Sequence, residues 1–273
     1  MVYCNCLKTS SFFQGAEFEV FNLIYSPNHY CILPNNNLII ADTNKIGFYD
    51  ENFRLIKSIN RFEELYIRIN GLTNSHSHLY ISDSVHNQII ITDFELNHKK
   101  SFGSLGSGDD QFNKPEGVCW SKSGYLYVCD CGNKRIQVFD DDFKLTKSIS
   151  LEFYPTKVYV SNTTVCLTGY TEDYDEFMEI HSISNWKLKS KHKNVNSLNQ
   201  IKSFFYSIEH FSTICCFNSD GNLINQLDLR KIIDQITPEF LINGIFLFNG
   251  NLVLCSDDKR CIKFGKNYKE SMF

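Results

Sequence analysis

Short runs of apolar residues alternate with clusters of Gly, Asn, Asp and Ser along this chain. β-branched and aromatic residues fill the runs, and runs of this kind bounded by turn residues predict β-strands joined by tight turns. The clearest pair of runs is LYVCD (126–130) and RIQVFD (135–140), which meet at a polar corner. The pattern therefore predicts an all-β protein.

The same pair of strands recurs along the sequence. Closely similar copies are LIIAD (38–42) with IGFYD (46–50), and LYISD (79–83) with IIITD (89–93). Weaker copies are VCLTG (165–169) with FMEIHSI (177–183), FFYSI (204–208) with TICCFN (213–218), and LVLCS (252–256) with CIKFG (261–265). A period of about 40 residues is typical of propeller blades and solenoid repeats. The six copies predict six repeats.

Each copy has two further strands. An apolar strand such as GVCWS (117–121) precedes the pair, and a more polar strand such as FKLTKSIS (143–150) follows it. This gradient fits a blade whose first strand lines a packed centre and whose fourth strand faces solvent. We therefore predict a six-bladed β-propeller with four antiparallel strands per blade. The expected blades of this single domain (1–273) are 28–60, 70–103, 115–151, 155–192, 198–230 and 240–273.

Residues 102–140 resemble an NHL repeat, whose pattern is FG, a Gly/Asp-rich link, F-N-x-P-x-G-V and then Y-V-x-D-x-x-N-x-R-I-Q-V-F. The resemblance implies a six-bladed β-propeller. It also implies a platform for protein or RNA partners, although a minority of related propellers are metal-dependent hydrolases or lyases. The repeat residues themselves have structural roles, since Asp130, Asn133 and Arg135 can satisfy a turn and Gly117 permits close approach of blades.

Closure of the ring requires an outer strand for the last blade, because an open propeller would leave an exposed edge there. Residues 5–18 parallel residues 96–112, which contain an outer strand followed by an inter-blade link. We therefore expect an N-terminal strand at residues 3–12 to complete the last blade. The segment YKESMF (268–273) is the alternative.

Composition narrows the class of partner and the compartment. Lys and Arg total 27 against 31 Asp and Glu, and a net charge of −4 argues against general attraction to nucleic acid or anionic membranes. No signal peptide or apolar stretch of ~18 residues is present in the sequence, so neither secretion nor a membrane span is expected. Eleven cysteines, an odd number partly within strands, favour thiols in a reducing compartment. A monomeric cytoplasmic propeller is expected.

The centre of the ring is the natural place for chemistry in a propeller. The positions before or near the starts of the innermost strands are His29, Asn70, Glu116, Lys157, Gln200 and Asn243. The oxygens of Asn70, Glu116 and Asn243 suit a hard cation such as Ca²⁺, but only one is a carboxylate and no second acid is supplied. His76 and His78 lack a third zinc ligand at motif spacing. We expect no catalytic residue, metal or cofactor, and keep a metal-dependent hydrolase or lyase at those three residues as an alternative.

Charge is predicted to differ between the two faces of the disc. The turns between second and third strands carry the expected partner-binding residues: Lys45, His86, Lys134, Arg135, Asp173, Asp175, Lys259 and Arg260. The turns between third and fourth strands carry Asp50, Glu51, Asp93, Glu95, Asp140, Asp141, Asp142 and Asp220 on the opposite face. Such charges set the orientation and on-rate of a partner.

RNA binding is the third hypothesis, through Lys45, Lys134, Arg135, Lys259 and Arg260. It needs a continuous basic rim with exposed aromatic residues, and the acidic segment TEDYDEF (171–177) interrupts that rim. The sequence thus favours a non-catalytic platform for a protein or peptide partner.

Overall fold

The computed structural model describes residues 18–23, 29–59, 67–193, 195–201, 204–209, 213–229, 242, 244–248, 251–256 and 258–264. These residues form six four-stranded sheets, and the paired strands in every sheet are antiparallel. The predicted six-bladed β-propeller is confirmed.

Five blades are built from consecutive strands. Blade 1 contains β2 (His29–Ile32), β3 (Leu38–Asp42), β4 (Lys45–Tyr49) and β5 (Leu55–Ile59). Blade 2 contains β6 (Ile69–Asn74), β7 (Leu79–Asp83), β8 (Gln88–Thr92) and β9 (His98–Phe102). Blade 3 contains β10 (Pro115–Trp120), β11 (Leu126–Asp130), β12 (Arg135–Phe139) and β13 (Leu145–Ser150). Blade 4 contains β14 (Tyr154–Val160), β15 (Thr164–Tyr170), β16 (Glu176–Ser182) and β17 (Leu188–Lys193). Blade 5 contains β18 (Val195–Ile201), β19 (Phe204–Glu209), β20 (Thr213–Phe217) and β21 (Leu223–Asp228).

Blade 6 combines strands from both sides of the sequence. Its inner strands are β22 (Gly244–Phe248), β23 (Asn251–Cys255) and β24 (Arg260–Phe264), and its outer strand is β1 (Phe18–Asn22). Phe18 lies opposite Phe264 and Asn22 lies opposite Arg260. An upstream strand thus takes the outer position, but with different bounds from the expected 3–12. That segment and the alternative 268–273 both lie outside the described residues.

The fourth strand of a blade is the most exposed, as predicted, but the second and third strands are more buried than the first. β7 and β11 are buried along their whole length, because neighbouring blades cover both faces of these central strands. The outer strands β5, β9 and β13 contain only exposed and half-buried positions, with a run of three consecutive exposed residues in each. The core is therefore a set of apolar layers between blades, such as the cluster that joins Tyr80, Phe112 and Phe139.

The turns between third and fourth strands of blades 1, 2, 3 and 5 share one hydrogen-bond pattern. In blade 3, Asp140 Oδ1 accepts hydrogen bonds from the backbone N–H groups of Asp142 and Lys144. The same arrangement recurs around Asp50, Asp93 and Asn218. These acceptors satisfy the turn backbone. Part of the acidic character predicted for this face is therefore turn chemistry.

Strand pairing is irregular where the innermost strands begin, at the upper mouth of the central channel. The pairing of first and second strands shifts between Ile69 and Gly71 in blade 2 and between Pro115 and Val118 in blade 3. Asn70 lies within the shifted segment of blade 2, and Glu116 lies within that of blade 3. β-Bulges of this kind redirect side chains at the edge of a sheet.

Two faces of the disc are distinguished below. The upper face carries the turns between second and third strands together with the inter-blade links, and the lower face carries the other turns of each blade. Within the described part of the chain, no helix is long and apolar enough to cross a membrane.

Candidate functional site

All the predicted partner-binding residues lie on the upper face, because each belongs to a turn between second and third strands or to its flanks. These turns connect β3 with β4, β7 with β8, β11 with β12, β15 with β16, and β23 with β24. The fold therefore brings basic turns from blades 1, 3 and 6 and the acidic turn of blade 4 to one side of the disc.

Arg135 has a structural role within this face. Its Nε donates a 2.7 Å hydrogen bond to Asp130 Oδ2, and its Nη atoms donate to the carbonyl oxygens of Ser107, Gly108 and Gln111. The Arg135 side chain is only 12% exposed, and that of Asp130 is completely buried. The guanidinium thus holds the link between blades 2 and 3 through several of its N–H donors. Little of its surface is exposed for contact with a partner.

Blade 2 contains a simpler form of the same network. Asp83, also completely buried, accepts a 2.6 Å hydrogen bond from His86 Nδ1 and further bonds from the backbone N–H groups of Arg68 and Val85. The His86 side chain is 38% exposed. It therefore both supports its turn and remains accessible at the surface.

Lys134 contacts the acidic turn of blade 4. Its Nζ donates a 2.5 Å hydrogen bond to Glu172 Oε1 and lies 4.5 Å from the centroid of the Tyr154 ring. The same Glu172 carboxylate accepts hydrogen bonds from Tyr154 Oη. The hydrogen bond to Glu172 raises the pKa of Lys134, and the bonds from Lys134 and Tyr154 lower the pKa of Glu172. This ion pair neutralises one of the basic positions predicted for the rim.

Three tyrosines form a stack next to this ion pair, which we call the tyrosine ladder (Tyr154, Tyr170 and Tyr174). The rings of Tyr154 and Tyr170 are 5.1 Å apart with an interplanar angle of 19°, and those of Tyr170 and Tyr174 are 5.8 Å apart at 9°. Tyr174, at the outer end, is 81% exposed and adopts a positive φ of 62°. Exposure of a large ring in a conformation that side chains disfavour suits a binding residue.

The tip of the ladder is acidic. Asp173 and Asp175 flank Tyr174, and both are exposed. Exposed carboxylates beside the face of an aromatic ring attract a guanidinium or ammonium group by charge and by cation–π interaction. The segment that interrupts the basic rim is thus itself the most exposed aromatic feature described on this chain.

The remaining basic positions are distributed around the face. Lys45 is exposed at the start of β4, and Lys259 is exposed beside β24. Arg260 Nε donates a 2.6 Å hydrogen bond to Asp258 Oδ2. Lys134 and Arg260 are therefore each paired with a neighbouring carboxylate. The upper face carries both acidic and basic side chains and is not purely basic.

Glu116 lies at the upper end of the channel. Burial raises the pKa of Glu116 from 4.5 to about 7, against the opposing influence of Arg68, Lys157 and Lys114. At the start of the innermost strand of blade 1, burial and Lys157 lower the pKa of His29 to about 3, which keeps the imidazole neutral. The mouth therefore combines one carboxyl group that can change charge near neutral pH with several cations.

The proposed metal ligands are only partly in place for that role. Asn70 Oδ1 accepts a 2.8 Å hydrogen bond from Ser84 Oγ, and Asn243 lies outside the described residues. The cations around Glu116 would repel a divalent ion. Within the described part of the chain, no group of three or more His, Cys, Asp and Glu residues could hold a metal.

Aromatic side chains pack in the apolar layer between blades 1 and 6. The Tyr30 ring packs 4.5 Å from that of Phe246, and Tyr30 Oη donates a 2.8 Å hydrogen bond to the Ile245 carbonyl oxygen. Burial, with Tyr159 nearby, raises the pKa of Tyr30 well above its usual value.

A six-bladed β-propeller with an NHL repeat is the class that this fold and these turns define. The NHL repeat family matches residues 112–139, and the predicted resemblance is confirmed there. Protein lin-41 of Caenorhabditis elegans is 43% identical over 42 residues, which are 15% of this chain and 4% of lin-41. NHL repeat-containing protein 3 of Homo sapiens is 50% identical over 40 residues, which are 15% of this chain and 12% of that protein.

Solved structures match over almost the whole chain. Virginiamycin B lyase from Staphylococcus aureus has a TM-score of 0.59 and 13% identity, covering 91% of this chain and 99% of the lyase. A streptogramin B lyase has a TM-score of 0.63 and 14% identity, covering 94% and 99%. The WD40 domain of Neurospora crassa Pan2 has a TM-score of 0.61 and 9% identity, covering 90% and 91%. At these identities the likeness extends to the fold alone.

Sequence reasoning missed the tyrosine ladder. Tyr154, Tyr170 and Tyr174 belong to the start of β14, the end of β15 and the turn that follows, and strand pairing places Tyr154 opposite Tyr170. The signal available in the sequence was a tyrosine at each end of the predicted first hairpin of blade 4. In TEDYDEF (171–177) the four acidic residues are the dominant sequence signal, and Tyr174 has no local signal of its own.

Proposed function

We propose that this propeller is a non-catalytic binding platform for a protein or peptide partner, which docks on the upper face around blades 3 and 4. The observation that carries the proposal is the tyrosine ladder, whose outer ring is 81% exposed between two exposed aspartates. Rigid, exposed tyrosines are favoured at binding hot spots, since they bury a large area at low entropic cost.

The chemistry of the ladder tip suggests what the partner presents. Tyr174 with Asp173 and Asp175 would receive an arginine or lysine side chain, with the ammonium or guanidinium near the ring and the carboxylates. Lys45 and Lys259 on the same face would contact acidic residues of the partner. The partner that best fits this face therefore has an arginine or lysine that contacts Tyr174, with acidic residues on either side of it.

The compartment proposed for this interaction is the cytoplasm. The nine cysteines in the described part of the chain are all free thiols, and eight of them are buried. Burial without disulfide formation suits a reducing environment. The proposal is for a monomeric propeller that acts through one partner.

Capture from the source organism with matched variants tests the proposal. Tyr174→Ala removes the outer ring of the ladder, whereas Tyr125→Ala removes a tyrosine, 39% exposed, from a lower-face turn. Quantitative mass spectrometry should identify a protein retained by the wild type and Tyr125→Ala but lost with Tyr174→Ala. Calorimetry with that purified protein should then give at least a roughly tenfold weaker Kd for Tyr174→Ala. Equal retention by all three proteins would refute this binding face.

An enzyme is the second candidate, because the bulge at the start of β10 places Glu116 at the channel mouth, where burial raises the pKa of its carboxyl group to about 7. A carboxyl group with that pKa suits general acid or base catalysis. The test is metal analysis of purified wild type and Glu116→Ala. Stoichiometric metal in the wild type that disappears in the variant would favour a hydrolase or lyase over a platform.

RNA binding is less well supported. Lys134 is paired with Glu172, and Arg135 is held by the inter-blade link. Salt-sensitive RNA binding that is lost in Lys134→Glu would nevertheless replace the protein-partner proposal.

A further inference from the structure

A pocket of about 800 Å³ opens on the lower face, on the side of the disc opposite the tyrosine ladder. It lies among the turns that follow the innermost strands of blades 1, 2 and 3, and the turn after β12 closes its outer side. Its volume falls within the range of small-molecule sites, roughly 300–1,000 Å³. We call it the lower-face pocket, and nothing in the proposed function uses it.

The wall of the lower-face pocket contains a fixed indole. The rings of Trp120 and Tyr80 are parallel, 4.9 Å apart with an interplanar angle of 7°. Tyr80 is almost completely buried, whereas Trp120 is half-buried and lines the pocket. The Trp120 backbone N–H donates a 3.2 Å hydrogen bond to Thr73 Oγ1. Tyr80 therefore supports one side of the indole, and the remaining surface is available to a planar ligand.

Three ionisable side chains line the rim of the pocket, and burial together with the negative charge of Asp141 raises the pKa of Tyr80. His76, Lys122 and Asp141 are exposed, line the pocket, and make no hydrogen bond or ion pair with any described residue. His78, in contrast, has its Nδ1 in a 2.8 Å hydrogen bond with Ser77 Oγ. Charged groups around an aromatic wall are the polar groups that orient a ligand in a binding pocket.

The two basic side chains and the acidic side chain lie on different sides of the pocket. His76 and Lys122 belong to turns between first and second strands, which lie near the centre of the ring. Asp141 belongs to the turn between β12 and β13, nearer the rim of the disc. The inner side therefore offers nitrogen donors to an anion, and the outer side offers a carboxylate to a hydrogen-bond donor. A matching ligand has a planar ring, an anionic group at one end and a donor at the other.

We propose that the lower-face pocket binds a nucleoside monophosphate. The base contacts Trp120, as aromatic side chains contact bases elsewhere. The phosphate lies beside Lys122 and His76, and a ribose hydroxyl or an exocyclic amine donates to Asp141. The proposal is independent of the upper-face partner.

Tryptophan fluorescence provides a direct test, since the chain has two tryptophans, Trp120 and Trp186. In a Trp186→Phe background, AMP should change the emission of Trp120 in a saturable manner, and calorimetry should give the same Kd. Adenosine, which lacks the anion, and inorganic phosphate, which lacks the ring, should each bind at least roughly tenfold more weakly.

Two charge reversals complete the test. Lys122→Glu should weaken AMP binding at least tenfold and leave adenosine binding unchanged. Lys187→Glu, at an exposed position on the lower-face turn of blade 4, should leave both unchanged. No saturable AMP binding at millimolar concentration, equal binding of AMP and adenosine, or equal losses in the two lysine variants would each overturn the proposal.

Discussion

Asp130 illustrates how one buried carboxylate organises an upper-face turn. Its two oxygens accept hydrogen bonds from the Asn113 backbone N–H and from the side chains of Asn133, Arg135 and Gln137. Buried charge is tolerated when it is paired and hydrogen-bonded in this way. Asp130, Asn133 and Arg135, which match the NHL repeat pattern, therefore stabilise this turn and the adjacent inter-blade link.

Asp130→Ala should strongly destabilise the propeller. The change leaves the largely buried Arg135 guanidinium without its carboxylate, and loss of one partner of a buried pair costs about 3–5 kcal/mol. Urea denaturation measures the free energy of unfolding. Asp142→Ala, which removes an exposed ion pair with Lys144, is the control and should change that free energy by less than about 0.5 kcal/mol. Similar effects of the two variants would contradict this account.

Glu116 should make stability depend on pH. Its folded-state pKa of about 7 exceeds the usual 4.5 because of burial, so the folded protein binds more protons than the unfolded chain between these values. This contribution to stability is complete below about pH 4.5 and is lost as pH rises through 7. Glu116→Gln cannot lose a proton, so its stability relative to wild type should rise between pH 4.5 and 7, by at most about 3 kcal/mol.

The measurement is urea denaturation of wild type and Glu116→Gln at several pH values. The opposing contribution of His29, whose pKa is lowered to about 3 by burial, is present in both proteins and cancels in the difference. Glu152→Gln changes an exposed carboxylate and provides the control. A constant difference between wild type and Glu116→Gln would argue against the raised pKa.

Residue roles were only partly predictable from the sequence. The support of a turn by Asp130, Asn133 and Arg135 follows from residue type and spacing. The engagement of Arg135 with Ser107, Gly108 and Gln111 depends on where the link passes in three dimensions. The tyrosine ladder depends on the pairing of β14 with β15 and on the conformation of Tyr174, neither of which has a local sequence signal.

At the level of elements, the contact between neighbouring innermost strands depends on glycine. A Cβ atom on Gly117 would lie 2.7 Å from both Lys157 Cα and Thr156 O in blade 4. A Cβ atom on Gly71 would lie 2.5 Å from the Glu116 carbonyl oxygen in blade 3. Glycine therefore sets the spacing between blades where the channel mouth forms.

Gly117→Ala should separate this packing effect from backbone strain. We expect destabilisation of at least about 2 kcal/mol, since backbone atoms of β14 would have to move. Gly124→Ala is the comparison, because its Cβ meets nothing within 4 Å but its φ of +83° disfavours alanine, at about 1 kcal/mol. Thermal and urea unfolding would compare the two. A larger loss in Gly124→Ala would show that blade spacing tolerates a methyl group.

Element positions were well predicted where the repeat is well preserved. The predicted strand 126–130 is β11, and 79–83 is β7, because apolar runs that end at an aspartate mark both boundaries. The bulge that contains Glu116 was not predicted, since it depends on pairing with β11 rather than on the sequence of β10 alone. The outer strand of blade 6 was expected at 3–12, whereas β1 (Phe18–Asn22) occupies that position among the described residues.

At the level of the whole molecule, β1 closes the ring. Deletion of residues 1–22 removes this strand and leaves β24 as an exposed edge, which favours pairing with another chain. We expect a lower unfolding midpoint and concentration-dependent association, measured by size-exclusion chromatography with light scattering. Deletion of residues 1–12 retains β1 and should leave a closed monomer. If the protein without residues 1–12 associates to the same extent, then those residues, and not β1 alone, are needed to close the ring.

Closure by β1 also has a consequence for biosynthesis. Phe18 pairs with Phe264, so β1 is translated long before the strand with which it pairs. At roughly 5–20 residues per second, that delay is on the order of 10–50 s. During this time β1 is a free strand that can pair with other nascent chains on the same messenger RNA. We therefore expect chaperone binding to the nascent segment that contains β1, which a propeller closed by adjacent strands would not need.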